Sequence, residues 1–185
     1  MNFMQRFRGH LGNIINHKYN VFKLCAGAGI FWQGITHDMS KLSPAEFWPG
    51  VRYFEGDHSP NEGEREDLGY SLAWMHHKGR NRHHYEYWCD YSPETKLMTP
   101  VMMPKKYLAE MFCDRVAANK TYKKKDYKTS DPLAYFERAN NYRREHGQST
   151  GMHPDTEKQL GYFLTMLRDE GEKKTLKELK KWIRQ

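Results

Sequence analysis

The sequence predicts an all-α protein, and three observations carry that prediction. Apolar residues recur at three-and-four spacing through most of the chain. Several segments open on helix-start signals with proline at the first helical position. No stretch alternates persistently with period two, and no Asn-Gly hairpin signal occurs.

The first long segment, about Phe3 to Gly34, places Phe7, Leu11, Ile14, Ile15, Val21, Phe22, Leu24 and Cys25 mostly three or four apart. It reads as one amphipathic helix or two end to end, with Gly27, Gly29 and Gly34 either weakening the second half or admitting a close neighbour. Ser43-Pro44-Ala45-Glu46 and Ser59-Pro60-Asn61-Glu62 each give a capping serine, proline next and glutamate at the third position. The first of these helices runs to about Tyr53 and the second to about His77. A shorter helix is expected over Arg82 to Tyr91, then a loop through Pro100. Pro104 to Tyr122 sets Tyr107, Leu108, Met111, Phe112 and Val116 on one face, the strongest helical pattern in the chain. Further helices follow from Asp131 to about Arg144, from His153-Pro154 to about Asp169, and from Lys174 to Ile183.

At 185 residues, 38% of them hydrophobic and 14% aromatic, the chain has material for one real core and is not intrinsically disordered. A single helical domain is expected over residues 1–170, with a basic helix over 171–185 packed on it or appended to it. The net charge of +7 suits a phosphate-bearing ligand, a nucleic acid or an anionic surface, and much of it comes from Lys120 to Lys128 and Lys173 to Arg184. Three widely spaced cysteines form no CxxC pair, which fits free thiols in a reducing cytosol. No run approaches the ~18 apolar residues of a membrane span. A cytoplasmic protein without membrane association is expected; oligomeric state is left open.

Histidine is where the chemistry concentrates. There are ten, eight of them before residue 85. His10 and His17 are two helical turns apart, His37 adjoins Asp38, and His76-His77 and His83-His84 are adjacent pairs. Asp114 interrupts a well-packed apolar segment. A divalent cation needs donors converging from several elements, and imidazole with carboxylate is the usual set. His10, among basic residues near the N-terminus, reads as a surface side chain, and His58, His146 and His153 read as loop or cap residues. Only one of each adjacent histidine pair can readily face inward.

The order His17, then Val21, then His37-Asp38, then Asp114 resembles the H…HD…D signature of the HD-domain superfamily of metal-dependent phosphohydrolases. "HDMSK" is similar to the HD-x-x-K form of several of its branches. More narrowly, "THDMSKLSPAEFWPGVRYFEG", "AWMHHKGRNRHHYEYW" and "EMFCDRVAANKTY" resemble a small uncharacterised bacterial and phage family of HD-like proteins, over roughly residues 10 to 165. The resemblance implies an HD-domain-like helical bundle with His17, His37, Asp38 and Asp114 as metal ligands. It adds histidines between Asp38 and Asp114 for a second metal, a place filled here by His76 or His77 and by His83 or His84. One or two divalent ions (Mn, Fe, Co, Ni, Zn or Mg) are implied.

The expected activity is hydrolysis of a phosphoester, mono- or diester, by water activated at the metal. Asp38 ligates or bridges, and Lys41, three residues on and about one helical turn away, offers a cation to the phosphate. Arg80, Arg82 and Arg115 are candidate phosphate contacts. Trp74, Tyr85, Tyr87 and Trp88 beside cations would suit a nucleotide, although they serve equally well as core. Two other classes stay open: an HD-fold di-iron oxygenase with the same ligands, and a non-catalytic basic protein binding nucleic acid or a protein partner, with nucleic acid not favoured.

Overall fold

The chain enters its first helix through a reciprocal cap. The Asn2 side chain accepts from the Gln5 N–H, and the Gln5 side chain accepts from the Asn2 N–H, both at 2.9 Å. In this computed structural model, which describes residues 1–185, helix α1 then runs Phe3–Gly27. The first segment is thus two helices and not one. Gly29, at φ +78°, reverses the chain, and α2 (Phe31–Thr36) folds back along α1. Gly34 makes that return possible. A Cβ there would lie 2.9 Å from the Cys25 Cβ and 3.1 Å from the Phe22 Cα.

After a 3₁₀ turn over Met39–Leu42 come α3 (Pro44–Arg52), α4 (Pro60–Leu68) and α5 (Leu72–Arg80). The single helix expected from Ser59 to His77 is broken in two. Gly69 adopts the left-handed conformation that ends α4. Ser71 restarts the chain as the N-cap of α5, accepting from the Trp74 N–H at 2.9 Å and donating to the buried Glu64 carboxylate.

The helix expected over Arg82 to Tyr91 does not form. That segment holds a 3₁₀ turn at Tyr85–Tyr87 and then strand β1 (Cys89–Tyr91), which pairs antiparallel with β2 (Met98–Pro100), Cys89 opposite Pro100. The Trp88 indole N–H donates to the Arg82 carbonyl at 2.7 Å and pulls the chain into a closed turn. Strands of three residues are too short to display an alternation.

Helices α6 (Lys105–Lys123), α7 (Asp131–Glu145), α8 (Pro154–Glu170) and α9 (Glu172–Arg184) complete the chain. The fold is an all-α helical bundle with one small hairpin. Helix α6 is its axis. It does not bury a single stripe, as expected, but is enclosed on nearly all sides through Leu108, Ala109, Met111, Phe112, Cys113, Val116 and Ala117. These meet Val21, Leu24 and Cys25 of α1, Leu160, Phe163, Leu164 and Leu167 of α8, and Leu179 of α9 in one core. The basic C-terminal helix therefore packs on the bundle through Leu179, with Leu176, Trp182 and Ile183 at the core margin.

His10 is not the surface residue its basic neighbours suggest. Its ring packs against Phe47 and Phe54 at 5.5 and 6.1 Å, in space that a side chain at Gly50 would occupy. Burial, with Lys41 nearby, pushes its pKa down to about 4. No helix is long and apolar enough to cross a membrane.

Candidate metal centre

Six elements deliver polar side chains to one buried point between α1 and α6. His17 comes from the inner face of α1, and His37 and Asp38 from the turn that ends α2. Asp38 sits in the left-handed region at φ +54°, a conformation that aspartate tolerates better than most residues. Its backbone is not helical, so the expected helical turn to Lys41 is replaced by a left-handed residue leading into the 3₁₀ turn. The spacing still serves: the Lys41 Nζ lies 2.7 Å from Asp38 Oδ2. Lys18, next to His17, secures the turn by donating to the carbonyls of Ile35 and His37 at 2.7 and 2.8 Å.

The remaining donors are His77 on α5, His83 and His84 in the loop after it, and Asp114 on α6. They sort into two groups of four, His17, His37, Asp38 and Asp114, and Asp38, His77, His83 and His84, with the donor atoms of each group within 4.8 Å of one another. Asp38 belongs to both. Its Oδ2 lies 3.3 Å from His37 Nε2 and 3.8 Å from His17 Nε2, while Oδ1 lies 3.3 Å from both His77 Nε2 and His83 Nε2. In the first group His17 Nε2 is 3.0 Å from Asp114 Oδ1.

Two carboxylates that sequence reasoning did not assign to the site support it from behind. The Glu110 Oε1 lies 3.0 Å from His37 Nδ1 and 3.2 Å from His83 Nδ1, so one buried carboxylate backs an imidazole of each group. Glu46 places its oxygens 2.6 Å from His76 Nδ1 and 2.7 Å from His77 Nδ1. Imidazoles whose Nδ1–H is held by a carboxylate present Nε2 as the ligand atom. The signals were available. Glu110 stands four residues before Asp114, hence on the same helix face. Glu46 reads as the third residue of a capping box, yet Ser43 makes no side-chain cap. The histidines take its carboxylate instead. His76 is correspondingly drawn to Glu46 and joins neither group of four.

The residues fit a metal. Among the buried side-chain atoms without a hydrogen-bond partner are His37 Nε2, Asp38 Oδ1, His83 Nε2 and His84 Nε2. Buried polar atoms left so are costly, and their convergence is what a cation would satisfy. The local electrostatics agree. Burial alone would raise the Asp38 carboxyl, but His37, Lys41 and His77 hold it well below the usual range. Asp114 is held low by His17 and His37 against the same burial. Burial opposes charge on His37, yet Asp38, Asp114 and Glu110 raise its pKa well above the ordinary value. His84 is pushed well below 6.5 by burial and by His83 and His77, which keeps it neutral.

Access is one-sided. The side chains of His37, Asp38, His77 and His83 are 5% exposed or less, whereas His17 is 10%, Asp114 17% and Lys41 33% exposed. The arginines expected at the phosphate are placed elsewhere. Arg82 donates to the Tyr107 hydroxyl at 3.2 Å and lies over the Tyr87 and Tyr107 rings, and Arg115 lies over Phe136. Arg80 is exposed at the end of α5 and has no ion-pair partner. Of the aromatic tract, Trp74 stacks on His77 at 5.6 Å and meets His84 edge-on at 4.7 Å. Tyr85 and Trp88 pack at the core margin.

A family model matches residues 6–166, from the start of α1 through most of α8, and its description is that of a family of unknown function. No curated protein and no solved structure matches the chain.

Proposed function

As the chain belongs to this family of unknown function (DUF5662), we propose from its residues that it is a metal-dependent phosphohydrolase. The single observation that carries the reading is Asp38, which turns one oxygen to each of two buried donor groups. His17, His37, Asp38 and Asp114 would hold one divalent ion, and Asp38, His77, His83 and His84 a second. A divalent ion there supplies Lewis acidity toward a phosphoryl oxygen and makes water a nucleophile at neutral pH.

The chain's own groups do the rest. Lys41, with a third of its side chain exposed at the open edge, is a cation placed to meet an incoming phosphate. Asp38 and Asp114 raise its pKa against the effect of burial, so it stays protonated throughout the working pH range. Asp114 and His17 form the rim from which a substrate reaches the cluster. Glu110 and Glu46 fix the rings of His37, His83 and His77, which removes reorganisation as ligands engage. The enclosed far side, with Trp74 against His77 and His84, excludes water and strengthens each charge interaction.

The test is elemental analysis of the purified chain, followed by a screen of phosphomonoesters, nucleotides and linear and cyclic dinucleotides with Mn, Co, Ni, Mg, Zn and Fe. We expect one to two metals per chain and metal-dependent release of phosphate or a monoester. Asp38→Ala should abolish both metal retention and turnover; Lys41→Ala should keep metal and lose roughly 10²–10³-fold in turnover, the usual scale for a lost charge-stabilising group. If Asp38→Ala retains full metal and turnover, the site is wrong. Iron-dependent oxygen consumption without phosphoester turnover would move the same ligands to an oxygenase.

A further inference from the structure

Helix α2 is inside out. The one residue of this helix that is buried is Gly34, pressed against Phe22 and Cys25 of α1. Its apolar side chains Phe31, Trp32 and Ile35 face outward, with Trp32 72% exposed. A helix at the surface of a single bundle ordinarily buries that face. The exposure continues beyond α2. Met39 in the next turn and Ile15 and Tyr19, one turn apart on α1, are, like Phe31 and Ile35, between 38% and 61% exposed.

These side chains form one surface. The rings of Phe22 and Phe31 are 5.3 Å apart and those of Phe31 and Trp32 5.7 Å. Lys18, between Ile15 and Tyr19 in sequence, reaches the Ile35 carbonyl and lies 3.4 Å from Met39 Sδ, which joins the α1 stripe to α2 and its turn. We propose that this face is a homodimer interface, on which a second copy of the chain packs α2 against α2 about a two-fold axis.

Area and charge both point to a second copy. Six large side chains at about 100 Å² of exposed surface each present roughly 600–700 Å², above the few hundred Å² that monomers usually leave uncovered and near the ~800 Å² per partner of a stable interface. The patch offers little charge to select a polyanion or an anionic lipid. The Lys18 ammonium is taken up by two carbonyls, and Lys23 lies over the Tyr19 ring at 5.3 Å. An uncharged apolar patch is complementary to itself under a two-fold rotation. Trp32, the most exposed residue of the set, is the natural anchor. The inference stands on the exposure of α2 and does not depend on the chemistry of the metal centre.

Sedimentation equilibrium of the full chain across nanomolar to high micromolar concentration tests it. The expected result is a particle of twice the 22.1 kDa chain mass, with Trp32→Glu and Ile35→Glu monomeric at concentrations where the parent is fully dimeric. Both side chains are exposed on the single chain, so the far-ultraviolet circular dichroism of the variants should match the parent, while their Tm should lose the concentration dependence that dimerisation gives the parent. A parent that remains at the chain mass throughout overturns the proposal, as does a Trp32→Glu chain that dimerises with the parent's affinity. Trp32-dependent sedimentation of a monomeric parent with phosphatidylserine-containing vesicles would give the face to lipid and reject the dimer.

Discussion

Glu110 is the residue with most to reveal at its own scale, because one of its oxygens backs both His37 and His83. Glu110→Gln keeps the volume and removes the charge that makes those imidazoles better ligands. It should weaken metal affinity by about 10–100-fold, measured by competition with a chromophoric chelator. Glu110→Ala leaves two buried imidazole N–H groups without an acceptor and should also lower unfolding free energy in urea by about 1–3 kcal/mol per group. The residues legible in the sequence were His17, His37, Asp38 and Asp114, through the order they share with the family they resemble, and histidines of the two adjacent pairs. The expectation that one of each pair faces inward holds for His77 but fails at His83-His84, where a loop in place of a helix turns both to the same group. Glu110 and Glu46 were less legible because a glutamate on a helix is ordinary. What distinguishes them is burial against histidines 73 and 31 residues away in sequence, which no local pattern displays.

At the scale of the element, α2 shows how a glycine can set the position of a catalytic candidate. Gly34 lets α2 lie on α1, and the end of α2 places His37 and Asp38. Gly34→Ala would put a methyl group against the Phe22 Cα and the Cys25 Cβ, neither of which can swing aside. Such overpacking should cost about 1–3 kcal/mol in urea unfolding and reduce metal affinity together with stability. The sequence made most helices legible through caps and periodicity. It concealed the break at Gly69 to Ser71, because Glu64 rescues the new helix start from a distance, and it concealed the β1–β2 hairpin, because three-residue strands have no period to read.

At the scale of the whole molecule, the metal-free cluster and the loaded one should respond oppositely to pH. Without metal, His83 has its pKa raised to about 9, and His37 and His77 are raised as well. Their unfolded value is near 6.5, so this stabilisation is fully present below about pH 6.5 and is lost as pH rises toward 9. Metal needs those imidazoles neutral, so the stabilisation it confers should grow across the same window as protons are released. Below about pH 7.5 the lowered His17 and His84 oppose this trend, so differential scanning calorimetry from pH 7.5 to 9, with chelator and with Mn, should show a falling Tm in the first series and a widening gap between the two. A metal-induced Tm increment that shrinks with rising pH would contradict the ligand assignment.

The left-handed backbone of Asp38 narrows the substitutions open to this position. Asparagine and glycine suit that conformation, but neither carries two anionic oxygens; glutamate carries them on a longer side chain and a backbone less at ease there. Retuning the centre toward another ion or reaction would therefore have to proceed through His17, Asp114 or the paired histidines, leaving Asp38 as the fixed pivot of the accessible sequence space.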